Sequence, residues 1–238
     1  MSRYIKSLKI NPKKEDIQPN IVLDFSTMNA IDSCARKGLI SSYLGKKYKE
    51  DVSRNMALEA GDLCHKAYAL FRCYSLPEDM RDSYMIKFMS QVLPGADNDF
   101  LMSELHNIYK QQEDCLMPTA KYMIIGDWVL NNSGYMDNED DKKRTLANIR
   151  DSLCAYVSYF VDLVMDEPVW ISDDKTLVGI ELPFEFDVSL LVSKDNIDKY
   201  EDFRFIGKLD GIHIKDGELI IHENKTASRL DDAWLGQW

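Results

Sequence analysis

The sequence predicts an α/β fold: a small mixed central sheet, formed mainly by residues 169–225, flanked by a large helical portion over residues 26–166. Three observations predict it. Apolar residues recur at helical spacing up to about Met165, the pattern changes to two-residue alternation after Pro168, and Asp216-Gly217 sits between two alternating apolar runs. The expected organisation is an extended arm over 1–25, a helical portion over 26–166, and a sheet core over 167–238.

Taken in order, the arm carries Pro12 and Pro19 and mixed charge. A helix is expected from Ser26, which can cap it, with Met28, Ile31, Ala35 and Leu39 on one stripe and Gly45 at its stop. The next, from about Asp51 to Tyr74, places Met56, Ala60, Leu63, Ala67 and Leu70 on one stripe and His65 on an adjacent one with Tyr68 and Arg72. Further helices are expected over Pro77–Val92, Asp99–Gln112, Pro118–Asn131 and about Asp140–Met165. The last carries Leu146, Ile149, Leu153, Val157, Phe160 and Val164 as a continuous stripe. The acidic run Asp137–Asp141 lacks the spaced oxygen ligands of a helix–loop–helix calcium site and reads as solvated surface. Strands follow at Val169–Ile171, at Thr176–Val188 and in the hairpin Phe203–Lys225. The chain ends within an amphipathic pattern, Leu230–Trp238, which reads as a truncated helix.

The hairpin carries the chemistry. Asp-Gly between alternating strands is the strongest short-range signal for a two-residue type I′ turn. That turn sets Lys215 opposite Glu218, Ile214 opposite Leu219, Ile212 opposite Ile221 and Asp210 opposite Glu223, with Lys225 on the surface of Glu223. Opposed Cβ atoms lie ~4.5–5.5 Å apart, and two like charges there repel by roughly 3 kcal/mol at an effective dielectric of about 20. A divalent cation held by oxygen ligands relieves that repulsion, and Lys225 supplies a nearby ammonium. A solvated face on an edge hairpin is the alternative.

The segments Gly207-x-x-Asp210 and Glu223-Asn224-Lys225-Thr226 resemble the active-site signature of the PD-(D/E)XK nuclease superfamily, in particular its RecB-like and phage exonuclease branch. The resemblance implies a sheet of the restriction-endonuclease-like type and metal-dependent hydrolysis of DNA, with Asp210, Glu223 and Lys225 catalytic. It further implies that Asp210, Glu223, the Asn224 backbone carbonyl and His65 hold Mg²⁺ or Mn²⁺. His65 enters because Gly61-x-x-x-His65 is similar to a helix of that branch. Glu181, Thr226, Gln237 and Arg36 fall where the branch has supporting or DNA-contacting residues. Cys34-x-Arg36 matches only the first element of the branch's iron–sulfur pattern, so no iron–sulfur cluster is expected. The branch's Gln-x-x-x-Tyr helix would need a residue beyond Trp238 if Gln237 opens it, and residues 75–165 match nothing in the branch.

Composition bounds the rest. The chain has 238 residues, 45% of them hydrophobic, enough for a real core. It has no long apolar run and no secretory signal pattern, so a cytoplasmic protein without a membrane partner is expected. Five widely spaced cysteines without C-x-x-C indicate reduced, buried thiols. A net charge of −11 opposes indiscriminate nucleic-acid binding, since phosphate affinity comes from Lys and Arg. DNA is the expected partner by resemblance, exonuclease action the expected mode, and a protein partner or oligomer stays open. Two other classes remain: a nuclease-fold subunit working through assembly or DNA binding, and a metal-dependent hydrolase of another anionic substrate.

Overall fold

A computed structural model of the chain describes residues 9–10, 21–23, 28, 55–160, 167–187 and 203–224. The helix expected from Ser26, the region of Lys225 to Trp238, and Arg36 lie outside the described residues, apart from Met28. Within them the fold is mixed α and β, with five helices and short strands. By its contacts the chain divides into two units, one of residues 1–54 and 172–209, the other of residues 55–171 and 210–238.

The first unit is built on β-structure. Strand β1 (Lys9–Ile10) pairs antiparallel with β3 (Ile180–Asp187), and β2 (Ile21–Leu23) pairs parallel with Phe203–Phe205 of β4 (Phe203–Lys215). The order is β1-β3-β4-β2, so the pairing is mixed and the N-terminal segment contributes strands to the sheet. Gly207 is required here by packing: a Cβ on it would lie 2.6 Å from Cε1 of Phe184. Strand β3 starts at Ile180, not at Thr176. Ser172 and Leu177 close a turn by reciprocal hydrogen bonds, Ser172 N to Leu177 O at 3.0 Å and Leu177 N to Ser172 Oγ at 2.9 Å. Asp174 Oδ1 fills that turn by accepting from Thr176 Oγ1 at 2.8 Å.

The second unit carries the helices α1 (Met56–Tyr74), α2 (Glu78–Val92), α3 (Asn98–Glu113), α4 (Pro118–Asn132) and α5 (Leu146–Phe160). Helix α1 packs on α2, α4 and α5, which makes it the centre of the bundle. Its expected stripe of Met56, Ala60, Leu63, Ala67 and Leu70 is buried throughout. Starts follow local chemistry. Asn55 Oδ1 accepts from Leu58 N at 3.2 Å, Asp97 Oδ1 accepts from Phe100 N at 2.7 Å, and α4 opens on Pro118. Helix α5 begins at Leu146 rather than at Asp140. The acidic run before it is taken up by turns: Asp141 Oδ1 accepts from Lys143 N at 3.1 Å, and Asp137 Oδ1 accepts from Leu146 N at 2.6 Å. Those carboxylates are thus structural caps as well as surface groups. Asp127 and Arg150 tie α4 to α5 through bonds of 2.6 and 2.9 Å.

The end of β4 and β5 (Glu218–His222) complete this unit. Asp216 and Gly217 have φ of +51° and +81°, as a type I′ turn requires, and the ladder runs from Lys215↔Glu218 to Gly211↔His222 in the expected register. On the other side of β4, Val169 bridges His213, with Trp170 N donating to Ile212 O and Ile214 N to Pro168 O, each at 2.9 Å. That pairing extends the antiparallel arrangement to a third segment.

Candidate functional site

Alternation sorts the hairpin residues onto two faces. Asp210, Ile212 and Ile214 share one, while Gly211, His213 and Lys215 share the other. Cross-strand pairing brings His222 to the second face opposite Gly211, and the Val169 bridge brings Glu167 there opposite Lys215.

At the first face, Asp210 is buried, with 7% of its surface exposed. Its Oδ2 accepts from Asn224 N at 2.6 Å, and its Oδ1 lies 3.4 Å from Nδ1 of His65, delivered by α1. Burial raises the Asp210 pKa, but the hydrogen bonds from His65 and Asn224 N–H and the charges of His65 and Arg72 outweigh it and hold the carboxyl below its usual range. Asp210 is therefore ionised at neutral pH. His65, Asp210 and Asn224, three positions singled out by sequence, are thus brought together. Glu223 is exposed just beyond β5, where the ladder has ended, and among the described residues it joins no triad of ligand atoms within 4.8 Å. Lys225, Thr226, Gln237 and Arg36 lie outside the described residues. Glu181 belongs to the other unit, where it is half-buried on β3 with φ of +48° and paired with Lys208.

Sequence reading missed the importance of Arg72. It is fully buried on α1, and its Nη1 donates to the Asp210 carbonyl at 2.7 Å. Its Nη2 reaches Tyr156 Oη at 3.4 Å and Asn224 Oδ1 at 3.5 Å. The guanidinium fills the space over Gly211, where a Cβ would meet Cζ at 2.7 Å. One guanidinium thus joins helix, strand and the chain after β5. The only signal was its place seven residues after His65 on the same stripe.

The second face holds a group that sequence reading also passed over. Glu167, His213 and His222 each offer a ligand atom, and these atoms lie within 4.8 Å of one another. His213 is fully buried, its ring 4.6 Å from that of His222 at 88°. Burial pushes His213 down to about 4, with the Arg72 and His222 charges acting in the same direction. Burial likewise lowers His222. Both imidazoles are neutral at pH 7, each with one bare ring nitrogen. The Asp216-Gly217 register implied that His213 and His222 share a face, but the partner strand of Val169 had no turn to set its register.

No protein-family model matches the chain, and no curated protein or solved structure does. Among the described residues no helix is long and apolar enough to cross a membrane. Of the four described cysteines, Cys64 and Cys73 are buried, Cys115 is half-buried, and Cys154 is exposed, so the expectation of uniformly buried thiols is corrected. Cys154 falls on the outward side of α5, between the core positions Leu153 and Val157.

Proposed function

We propose that the chain is a divalent-metal-dependent deoxyribonuclease, acting as an exonuclease through the site around Asp210. The observation that carries this is the ionised Asp210, buried yet bonded to Asn224 N–H and 3.4 Å from His65. A carboxylate held beside an imidazole is a donor set that fits a divalent ion, and its neighbours in sequence carry the Gly-x-x-Asp and Glu-x-Lys pattern. A restriction-endonuclease-like sheet is part of the same proposal, supported by the mixed pairing and the hairpin.

Asp210, Glu223, the Asn224 carbonyl and His65 would hold Mg²⁺ or Mn²⁺. When bound, such an ion lowers the pKa of a coordinated water and stabilises charge on a phosphate oxygen. Lys225 would orient the attacking water through its Nζ and take part in its deprotonation. Asn224 N–H and the Arg72 guanidinium keep Asp210 aligned, one from its carboxylate and one from its carbonyl.

The test is cleavage of linear and closed-circular DNA in Mn²⁺, with a chelator control and the variants Asp210→Asn and Lys225→Ala. Metal-dependent loss of linear DNA alone is expected, at least ~100-fold slower in either variant. Asn at 210 keeps an acceptor for Asn224 N–H, so the fold is expected to survive. Cutting of the circle would replace exonuclease by endonuclease, and silence on both substrates would favour the assembly-subunit reading that the net charge of −11 also suits.

A further inference from the structure

The second face of the hairpin presents three ligand atoms that have no hydrogen-bond partner: Glu167 Oε2, His213 Nε2 and His222 Nε2. An unpartnered buried polar atom costs about 1–3 kcal/mol, and a ligand atom of each of the three residues lies within 4.8 Å of those of the other two, so the cluster calls for something between them. We propose that Glu167, His213 and His222 form a binding site for a zinc-like divalent transition-metal ion, distinct from the Asp210 site.

The supporting groups are arranged as a metal centre needs. His213 Nδ1 lies 3.4 Å from the Glu167 carbonyl, which favours a proton on Nδ1 and leaves Nε2 as the donor. Lys215 Nζ holds Glu167 Oε1 at 2.8 Å, which turns Oε2 toward the imidazoles. Glu167 Oε2 and His222 Nε2 are 3.9 Å apart. Zinc bonded at ~2.0–2.1 Å sets tetrahedral ligands about 3.3 Å from one another, a contraction that small side-chain torsions supply. The Glu167 and His222 side chains are 13% and 26% exposed, so an ion can enter from solvent and keep a water as fourth ligand.

Charge decides the class of ion. Lys215 sits on Glu167, and the Arg72 guanidinium lies over Gly211 on the same face. One carboxylate facing two cations cannot hold Mg²⁺ or Ca²⁺, which need several oxygen ligands. Two imidazoles with a carboxylate suit zinc, whose bonds to nitrogen do not depend on net charge alone.

The experiment is titration of the purified full chain with Zn²⁺ against a chromophoric chelator, and with Co²⁺ read by its visible absorption. One ion per chain is expected, retained in Asp210→Asn and bound more than about 100-fold more weakly in His222→Gln and Glu167→Gln, beyond the loss typical of supporting residues. Absence of binding in the wild type overturns the proposal, as does wild-type affinity in both variants when their circular dichroism is native. X-ray absorption of the zinc-loaded wild type is independent of any variant's folding. Two imidazoles in the zinc shell are expected, and a shell of oxygen or sulfur alone overturns the assignment. Loss of DNA cleavage in Asp210→Asn with zinc binding intact keeps the two sites separable.

Discussion

Arg72 is the residue on which the described site depends most. A buried guanidinium donating to a backbone carbonyl is stable only while its donors are used; the Asp210 carbonyl engages Nη1, and Tyr156 and Asn224 engage Nη2, while Nε has no hydrogen-bond partner. Arg72→Ala removes the donor and leaves a hole over Gly211, so a loss of roughly 2–4 kcal/mol is expected in urea unfolding. Arg72→Lys keeps the charge but not the fork and is expected to recover only part of it. Cys64, one residue before His65, makes a pH prediction. Burial pushes its thiol up to about 11, against the lowering effect of a hydrogen bond with Tyr68. The folded pKa lies above the unfolded one, so the contribution to stability is complete below about pH 9 and is lost as pH rises through about 11. The loss is on the order of 3 kcal/mol. Unfolding free energies between pH 8 and 10.5 are expected to fall less steeply in Cys64→Ala than in wild type, and equal slopes would refute the assignment.

At the scale of elements, the hairpin and α1 act as one construction, because Gly211 exists to admit a side chain from the helix. Gly211→Ala drives a methyl into the Arg72 guanidinium and is expected to destabilise by about 1–3 kcal/mol. Gly217→Ala meets nothing in space, but its φ of +81° is strained for alanine, and about 1–2 kcal/mol is expected. Combining Gly211→Ala with Arg72→Ala distinguishes the causes: in denaturant titrations the double variant is expected to lose less than the sum of the singles, since the clash is then gone. The hairpin was legible because a two-residue Asp-Gly turn leaves one register open. Val169–Ile171 reads in sequence as a strand, whereas in the structure it meets β4 through an isolated bridge at Val169; no short turn ties it to β4, and Glu167 therefore stayed unassigned.

For the molecule as a whole, a net charge of −11 limits how DNA can be held. Few phosphates can be neutralised at once, so affinity should depend only mildly on salt. Binding of linear DNA by the Asp210→Asn variant is expected to weaken about 10-fold between 50 and 200 mM salt, the slope of ~2 phosphate contacts. A much steeper slope in a fluorescence titration would reveal a basic groove that composition conceals.

The sequence by itself determined the helices of residues 56–160, to within a few residues except at the starts of α1 and α5, and the register of the β4–β5 hairpin. Both are short-range properties. A stripe such as Met56, Ala60, Leu63, Ala67 and Leu70 repeats within one element, and the handedness of a two-residue turn is local. Tertiary structure alone decided that Arg72 lies over Gly211, that β2 joins β4 in parallel, and that Glu167 meets His213 and His222. These meetings join residues up to 182 positions apart through space. They depend on how whole elements pack, a long-range outcome that no local pattern of residues encodes.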